Sequence, residues 1–184
     1  ENCKELGFNP NFTIIDSDDS LTLIKKIMKE NGIDDKSFNP RAIRNAISSA
    51  KNELIDATSY EKYALTEFEI KVHEVYKRYE SRLKLGNSLD FDDLLMLPIV
   101  LFKKNKEILE KYQERFKYIL VDEYQDTNYA QYTLSKLLSS KYKNIFVVGD
   151  IDQSIYAFRG ANYKNILNFE KDYPNCKTIL LEEN

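Results

Sequence analysis

Tyr118-Ile119-Leu120-Val121-Asp122-Glu123-Tyr124-Gln125-Asp126-Thr127-Asn128 is the stretch on which the fold turns. Its first four residues are aromatic, β-branched or aliphatic, the types that suit a strand. They deliver two adjacent carboxylates to the strand's carboxyl end, the edge at which open α/β sheets bind ligands. A second run of the same design, Ile145-Phe146-Val147-Val148, ends in Gly149-Asp150-Ile151-Asp152-Gln153. One helix-length segment separates the two, and strands so arranged describe a nucleotide-hydrolysis core.

Between these strands, Asn128 to Ser140 places Ala130, Leu134, Leu137 and Leu138 on one side, as a crossover helix covering a parallel sheet requires. Downstream, 162–173 reads as a further helix and 177–181 as a third strand after the turn at Pro174-Asn175. The order β-α-β-α-β favours right-handed parallel crossovers. Upstream, 106–116 reads as a short amphipathic helix. Phe91 to Phe102 is an apolar segment in which Pro98 is expected to kink the helix or begin a new one. Asn87-Ser88-Leu89-Asp90 is read as a turn and cap before it.

Residues 17–85 read as helix after helix. Leu21, Ile24, Ile27 and Met28 mark the face of the first, with Ser17 or Asp19 as its cap and Gly32 as its close. Asn39-Pro40 opens the second, with Pro at the first helical position, where its missing N–H is not needed. Ile43, Ile47, Ala50 and Leu54 are its buried stripe. A third and longest helix is expected from Ser59 toward Leu85, with Ala64, Phe68, Val72, Val75, Tyr79 and Leu83 inward and Gly86 as its stop. These stripes are core packing rather than sites.

A chain of 184 residues can bury a real core. Its two cysteines, Cys3 and Cys176, have neither CxxC spacing nor a nearby histidine pair, so zinc and disulfide frameworks are not indicated. A net charge of −3 with 31% charged residues argues against a generally polybasic nucleic-acid binder but is compatible with a local basic groove. No apolar stretch reaches the roughly 18 to 20 residues that span a bilayer, and the first residues lack the order of a signal peptide. A cytoplasmic location is expected. Lysine outnumbers arginine 21 to 6, a bias that reflects base composition of a genome rather than chemistry.

None of the five glycines, Gly7, Gly32, Gly86, Gly149 and Gly160, is followed by lysine, so the chain carries no GxxxxGK[ST] phosphate loop. Either the strand-end acids serve another chemistry or the chain is the interior of a longer protein. The loose start at Glu1-Asn2-Cys3-Lys4 and the stop at Leu181-Glu182-Glu183-Asn184 favour the second expectation.

Val121-Asp122-Glu123-Tyr124-Gln125-Asp126-Thr127-Asn128 resembles the Walker B box, motif II, of superfamily 1 DNA helicases of the UvrD/PcrA/Rep type. Val148-Gly149-Asp150-Ile151-Asp152-Gln153-Ser154-Ile155-Tyr156-Ala157-Phe158-Arg159-Gly160-Ala161 resembles their motif III. Leu89 to Leu95 is similar to the short box upstream of motif II, and Leu181 to Asn184 to the start of motif IV. The resemblance covers essentially the whole chain. It implies an α/β fold: a helical 1B-like insertion subdomain over 1–88, then over 89–184 the later part of a RecA-like parallel sheet with flanking helices, of the P-loop NTPase type with the P-loop itself absent.

The family's activity would be ATP- and Mg²⁺-dependent 3′-to-5′ movement on single-stranded DNA with duplex unwinding, in repair or replication. Asp122 would hold Mg²⁺ and Glu123 would act as general base, roles that a strand-end acid pair can fill in a phosphate site. Gln153 would sense the ATP γ-phosphate. Tyr156, Phe158 and Arg159 would contact DNA by stacking and by a phosphate or cation–π contact. Phe158 stands where the family more often carries tryptophan, and Ala157 where glycine or a larger residue is common. The isolated fragment is expected to be inactive.

Two rival readings stand beside this one. A metal-dependent nuclease would employ Asp122, Glu123, Asp150 and Asp152; a non-enzymatic DNA- or partner-binding module would use the helices of 17–85. His73, the sole histidine, has no triad partner nearby and reads as structural. Asp90, Asp92 and Asp93 read as acids favouring a helix start rather than a metal cluster.

Overall fold

The computed structural model describes residues 2–150, 153 and 164–180. Asp16 opens the first helix, α1 (Ser17–Glu30), because its carboxylate accepts the N–H groups of Asp18 at 2.8 Å and Asp19 at 2.9 Å, two of the donors a helix start leaves unpaired. The expected caps, Ser17 and Asp19, lie inside the first turn instead. Helix α2 (Pro40–Asn52) begins as the sequence indicates, with Asn39 Oδ1 accepting from Arg41 N–H at 2.8 Å and Pro40 in the first turn. Leu54, expected on its stripe, lies beyond the helix end with φ +59°.

The long third helix does not form as one piece. Ser59–Tyr63 makes a separate 3₁₀ turn, and α3 starts at Glu67 and runs to Leu85. Thr66 and Glu69 cause the break: Thr66 Oγ1 accepts from Glu69 N–H at 3.3 Å while the Glu69 carboxylate accepts from Thr66 N–H at 2.8 Å. That reciprocal pair satisfies start-of-helix donors at Thr66 and so begins a new helix there. Ile24, Ile27, Met28, Ile43, Ile47, Val72, Val75, Tyr76, Tyr79 and Leu83 form one buried cluster between α1, α2 and α3.

Thr13–Ile14 (β1) pairs in parallel with Ser88–Leu89 (β2). Thr13 N–H donates to Asn87 O at 3.1 Å and Ile15 N–H to Leu89 O at 2.9 Å. This corrects the reading of 87–90 as a simple turn: β2 is two residues long and its partner is remote in sequence, so no local periodicity announces it. The division expected between residues 88 and 89 falls within this strand. Helix α4 (Asp93–Lys104) continues through Pro98, so the proline does not begin a new helix there. The proline removes a single donor, the one that would reach the Leu94 carbonyl, and burial of Met96, Ile99, Leu101 and Phe102 holds the helix on both sides of it.

Helix α5 (Lys106–Arg115), capped by Asn105, leads into β3 (Ile119–Val121), which pairs in parallel and in register with β4 (Ile145–Val147). Helix α6 (Tyr129–Ser139) connects them. It buries Ala130, Ser135 and Ser139, packs against α4, α5 and β3, and leaves the expected Leu134, Leu137 and Leu138 half-buried. Helix α7 (Lys164–Asp172) follows. The third strand expected at 177–181 is absent over its described residues 177–180, where Ile179 and Leu180 are exposed without a neighbouring strand to complete a ladder. Among the described residues the architecture is thus helix-rich α/β with two small parallel sheets. Among the described residues, no helix is long and apolar enough to cross a membrane.

Candidate functional site at the ends of the parallel strands

Strand β3 ends at Val121 and the chain turns at once. Val148 N–H donates to Val121 O at 2.9 Å and Tyr124 N–H donates to Val148 O at 2.9 Å, so the turn after β3 is stitched to the carboxyl end of β4. Asp122 and Glu123 sit between these bonds, both exposed. Asp122 Oδ1 accepts from Glu123 N–H at 2.9 Å. Glu123 adopts φ +49°, ψ +46°, a left-handed conformation that costs a non-glycine residue on the order of 1–2 kcal/mol. Strain of this kind concentrates at functional sites.

The turn is anchored from below. Tyr124 is buried edge-on against the Phe169 ring of α7, with centroids 5.7 Å apart. Thr127 Oγ1 donates to Tyr124 O at 2.7 Å, and Asn165 Nδ2 donates to Thr127 O at 2.9 Å. Asn128 forms a capping box with Gln131 at the start of α6, and its Nδ2 donates to Asn52 Oδ1 at 2.7 Å, tying the site to α2.

Gln125 joins the two strand ends. It is only 1% exposed. Its Nε2 donates to Glu123 Oε2 at 2.7 Å and its Oε1 accepts from Asp150 N–H at 3.0 Å. Asp150 Oδ2 in turn accepts from Gln153 Nε2 at 2.8 Å. The structure therefore brings Asp122, Glu123, Asp150 and Gln153 to one edge, and places Glu123 and Gln153 on one hydrogen-bonded path. Asp152, Tyr156, Phe158 and Arg159 lie outside the described residues.

Sequence reasoning passed over two residues here. Gln125 belongs to a recognised box, yet nothing local announces that its amide is buried between the strands. Lys51 continues the spacing of Ile43 and Ile47 by four, so it occupies the inward stripe of α2, and that position was its signal. Its ammonium is buried 2.7 Å from Asp93, 2.8 Å from Asp90 and 2.7 Å from Glu80. Burial alone would push this lysine down, but Asp93, Glu80 and Asp90 together hold it well above its ordinary value. Burial pushes the Asp93 carboxyl up to about 7, against the pull of Lys51.

Asp90 and Asp93 do mark the start of α4, exchanging bonds in which Asp93 N–H donates to Asp90 Oδ1 at 2.9 Å and Asp90 N–H to Asp93 Oδ2 at 3.1 Å. They are also the carboxylate partners of Lys51, which exceeds the helix-start reading. His73 lies beside Tyr60, with ring centroids 6.4 Å apart, and takes no part in the strand-end group.

A cleft of about 160 Å³, bordered by Asp16, Ser20, Arg44, Tyr79 and Asp90, lies between the helices and includes none of the strand-end candidates. Residue chemistry, not concavity, therefore identifies the site. The donors at the strand ends are hard carboxylate oxygens. Among the described residues no group of three or more His, Cys, Asp or Glu forms a metal cage. One exposed carboxylate suits a magnesium ion held chiefly by substrate phosphates and water.

The description "UvrD/REP helicase N-terminal domain" matches residues 1–174 of this chain. The chain is 53% identical over 179 residues to the ATP-dependent DNA helicase PcrA of Bacillus subtilis, covering 97% of this chain and 24% of the relative. It is 50% identical over 181 residues to the protein of the same name from Leuconostoc citreum, covering 98% and 24%. A Staphylococcus aureus protein of that name is 53% identical over 179 residues, with 97% and 24% covered. The chain spans about a quarter of the length of these relatives.

Proposed function

The chain belongs to the UvrD/REP helicase family, and from that premise we propose that it supplies the hydrolytic strand ends of an ATP-dependent DNA helicase. The observation that carries this reading is the placement of Asp122 and Glu123 at the carboxyl end of β3, beside the end of β4 that bears Asp150 and Gln153. Ligands of open parallel sheets bind at that edge.

In the intact protein Asp122 would hold the Mg²⁺ that accompanies ATP, and the ion would supply charge neutralisation to the phosphates. Glu123 orients the attacking water and accepts its proton. Gln153 offers a neutral amide to the γ-phosphate, and that amide can exchange its bond to Asp150 for one to the nucleotide. Tyr156, Phe158 and Arg159 grip single-stranded DNA. Because Gln153 and these three share one short segment, the state of the γ-phosphate biases the grip on DNA, the form a coupling element must take.

Residues 1–88 act as a helical 1B-like subdomain and 89–184 as the later part of a RecA-like ATPase domain. The work is 3′-to-5′ translocation and duplex unwinding in the cytoplasm, in repair or replication. Strand displacement by the full-length protein tests this: with ATP and Mg²⁺ it separates a duplex bearing a 3′ single-stranded tail. Cleavage of the DNA without ATP, or equal unwinding from 5′ and 3′ tails, would contradict it.

A further inference from the structure

We propose that Gln125 is the positioning residue for the general base, holding the Glu123 carboxylate in place and registering it against the Asp150–Gln153 segment. The inference rests on the reading of Glu123 as the base. An exposed glutamate ordinarily samples several rotamers, and a base must lie within hydrogen-bond reach of one particular water. Glu123 is exposed and stands on a left-handed backbone, so its own turn does not confine its side chain. The Gln125 amide does, through the 2.7 Å bond from Nε2 to Glu123 Oε2.

The opposite end of that amide is fixed by the Asp150 N–H at 3.0 Å, and the amide itself is buried. Tyr124, buried between Glu123 and Gln125, fixes the backbone from which Gln125 reaches back. Only an amide meets both demands. It donates to a carboxylate with one terminus, accepts a backbone N–H with the other, and does not titrate. Glutamate at this position would set two carboxylates against each other, and an apolar residue would leave the Asp150 N–H and the Glu123 carboxylate without this partner. The relay Glu123–Gln125–Asp150–Gln153 also means that a movement of Gln153 reaches Glu123 through two residues, Asp150 and Gln125, rather than through the sheet.

The test uses the full-length protein with saturating single-stranded DNA and compares Gln125→Glu and Gln125→Met with wild type. ATP turnover, KM, nucleotide binding and thermal unfolding are measured. Displacing a catalytic group by a fraction of its reach lowers kcat by at least about tenfold, while uniform nucleotide binding leaves KM within about threefold.

A folded variant with kcat within about twofold of wild type overturns the proposal, as does a loss of nucleotide binding that matches the loss of kcat. If Gln125→Glu does not fold, Gln125→Met decides by the same criteria; if neither folds, Gln125 is a structural post and the proposal fails. Glu123→Gln separates the two levels of inference. Turnover retained in that variant removes the base reading itself, whereas turnover lost there but kept in both Gln125 variants removes only the positioning role.

Discussion

Lys51 carries its ammonium into the interior, where isolated charge is untenable, and three carboxylates make the position tolerable. Removing one partner of such a group strands the others. Lys51→Met is therefore expected to cost about 3–5 kcal/mol, read as a lowered urea midpoint; a loss below about 1 kcal/mol would show that the network is worth no more than a surface pair. Asp93 gives the cluster a pH dependence. Its folded-state pKa is raised, so at pH values between the ordinary carboxyl value and about 7 the folded protein holds a proton that the unfolded chain has released. The associated stability is present at low pH and is lost as pH rises through about 7. The stability advantage of wild type over Asp93→Asn should accordingly shrink between pH 5 and pH 8. An advantage that stays constant across that range would place the titration elsewhere.

At the scale of elements, α6 begins directly after the strand-end acids, and its capping box fixes where the turn stops and the helix starts. Asn128→Ala removes the cap and the bond to Asn52 together, and is expected to cost about 1–2 kcal/mol; denaturant unfolding unchanged within error would contradict this. The sequence made such local devices legible. Asn39-Pro40 announces α2 because cap and proline act within three residues, and the apolar runs at 119–121 and 145–147 announce β3 and β4 because β-branched, aliphatic and aromatic residues suit a strand wherever its partner lies. Other features depended on partners distant in sequence. The strand at Ser88–Leu89 exists only through Thr13–Ile14, α4 survives Pro98 through its packing, and residues 177–180 read as a strand but have no ladder among the described residues. The candidate site divides the same way. Asp122 and Glu123 stood out by residue type at a strand end and Gln153 by its resemblance to motif III, whereas the bridge made by Gln125 required both strands to be in place.

Among the described residues, β3 and β4 pair with each other alone, and one face of that ribbon is exposed: Leu120 is 74% exposed and Phe146, opposite it in register, 59% exposed. Contiguous apolar surface of this kind seeks a partner. The isolated 184-residue chain is expected to self-associate with rising concentration, and Leu120→Lys with Phe146→Lys to suppress this in sedimentation; a chain that stays monomeric without the substitutions would contradict it. The isolated chain is also expected not to turn over ATP, since it carries no GxxxxGK[ST] loop. The central claim concerns the strand-end carboxylates as the hydrolytic pair of a DNA-dependent motor. Mg²⁺-dependent ATP turnover by the full-length protein, with and without single-stranded DNA, in wild type and in Glu123→Gln, tests it most directly. The account predicts DNA-stimulated turnover in wild type and a loss of about 100-fold or more in the variant, with nucleotide binding intact; a variant that hydrolyses ATP as fast as wild type would contradict it.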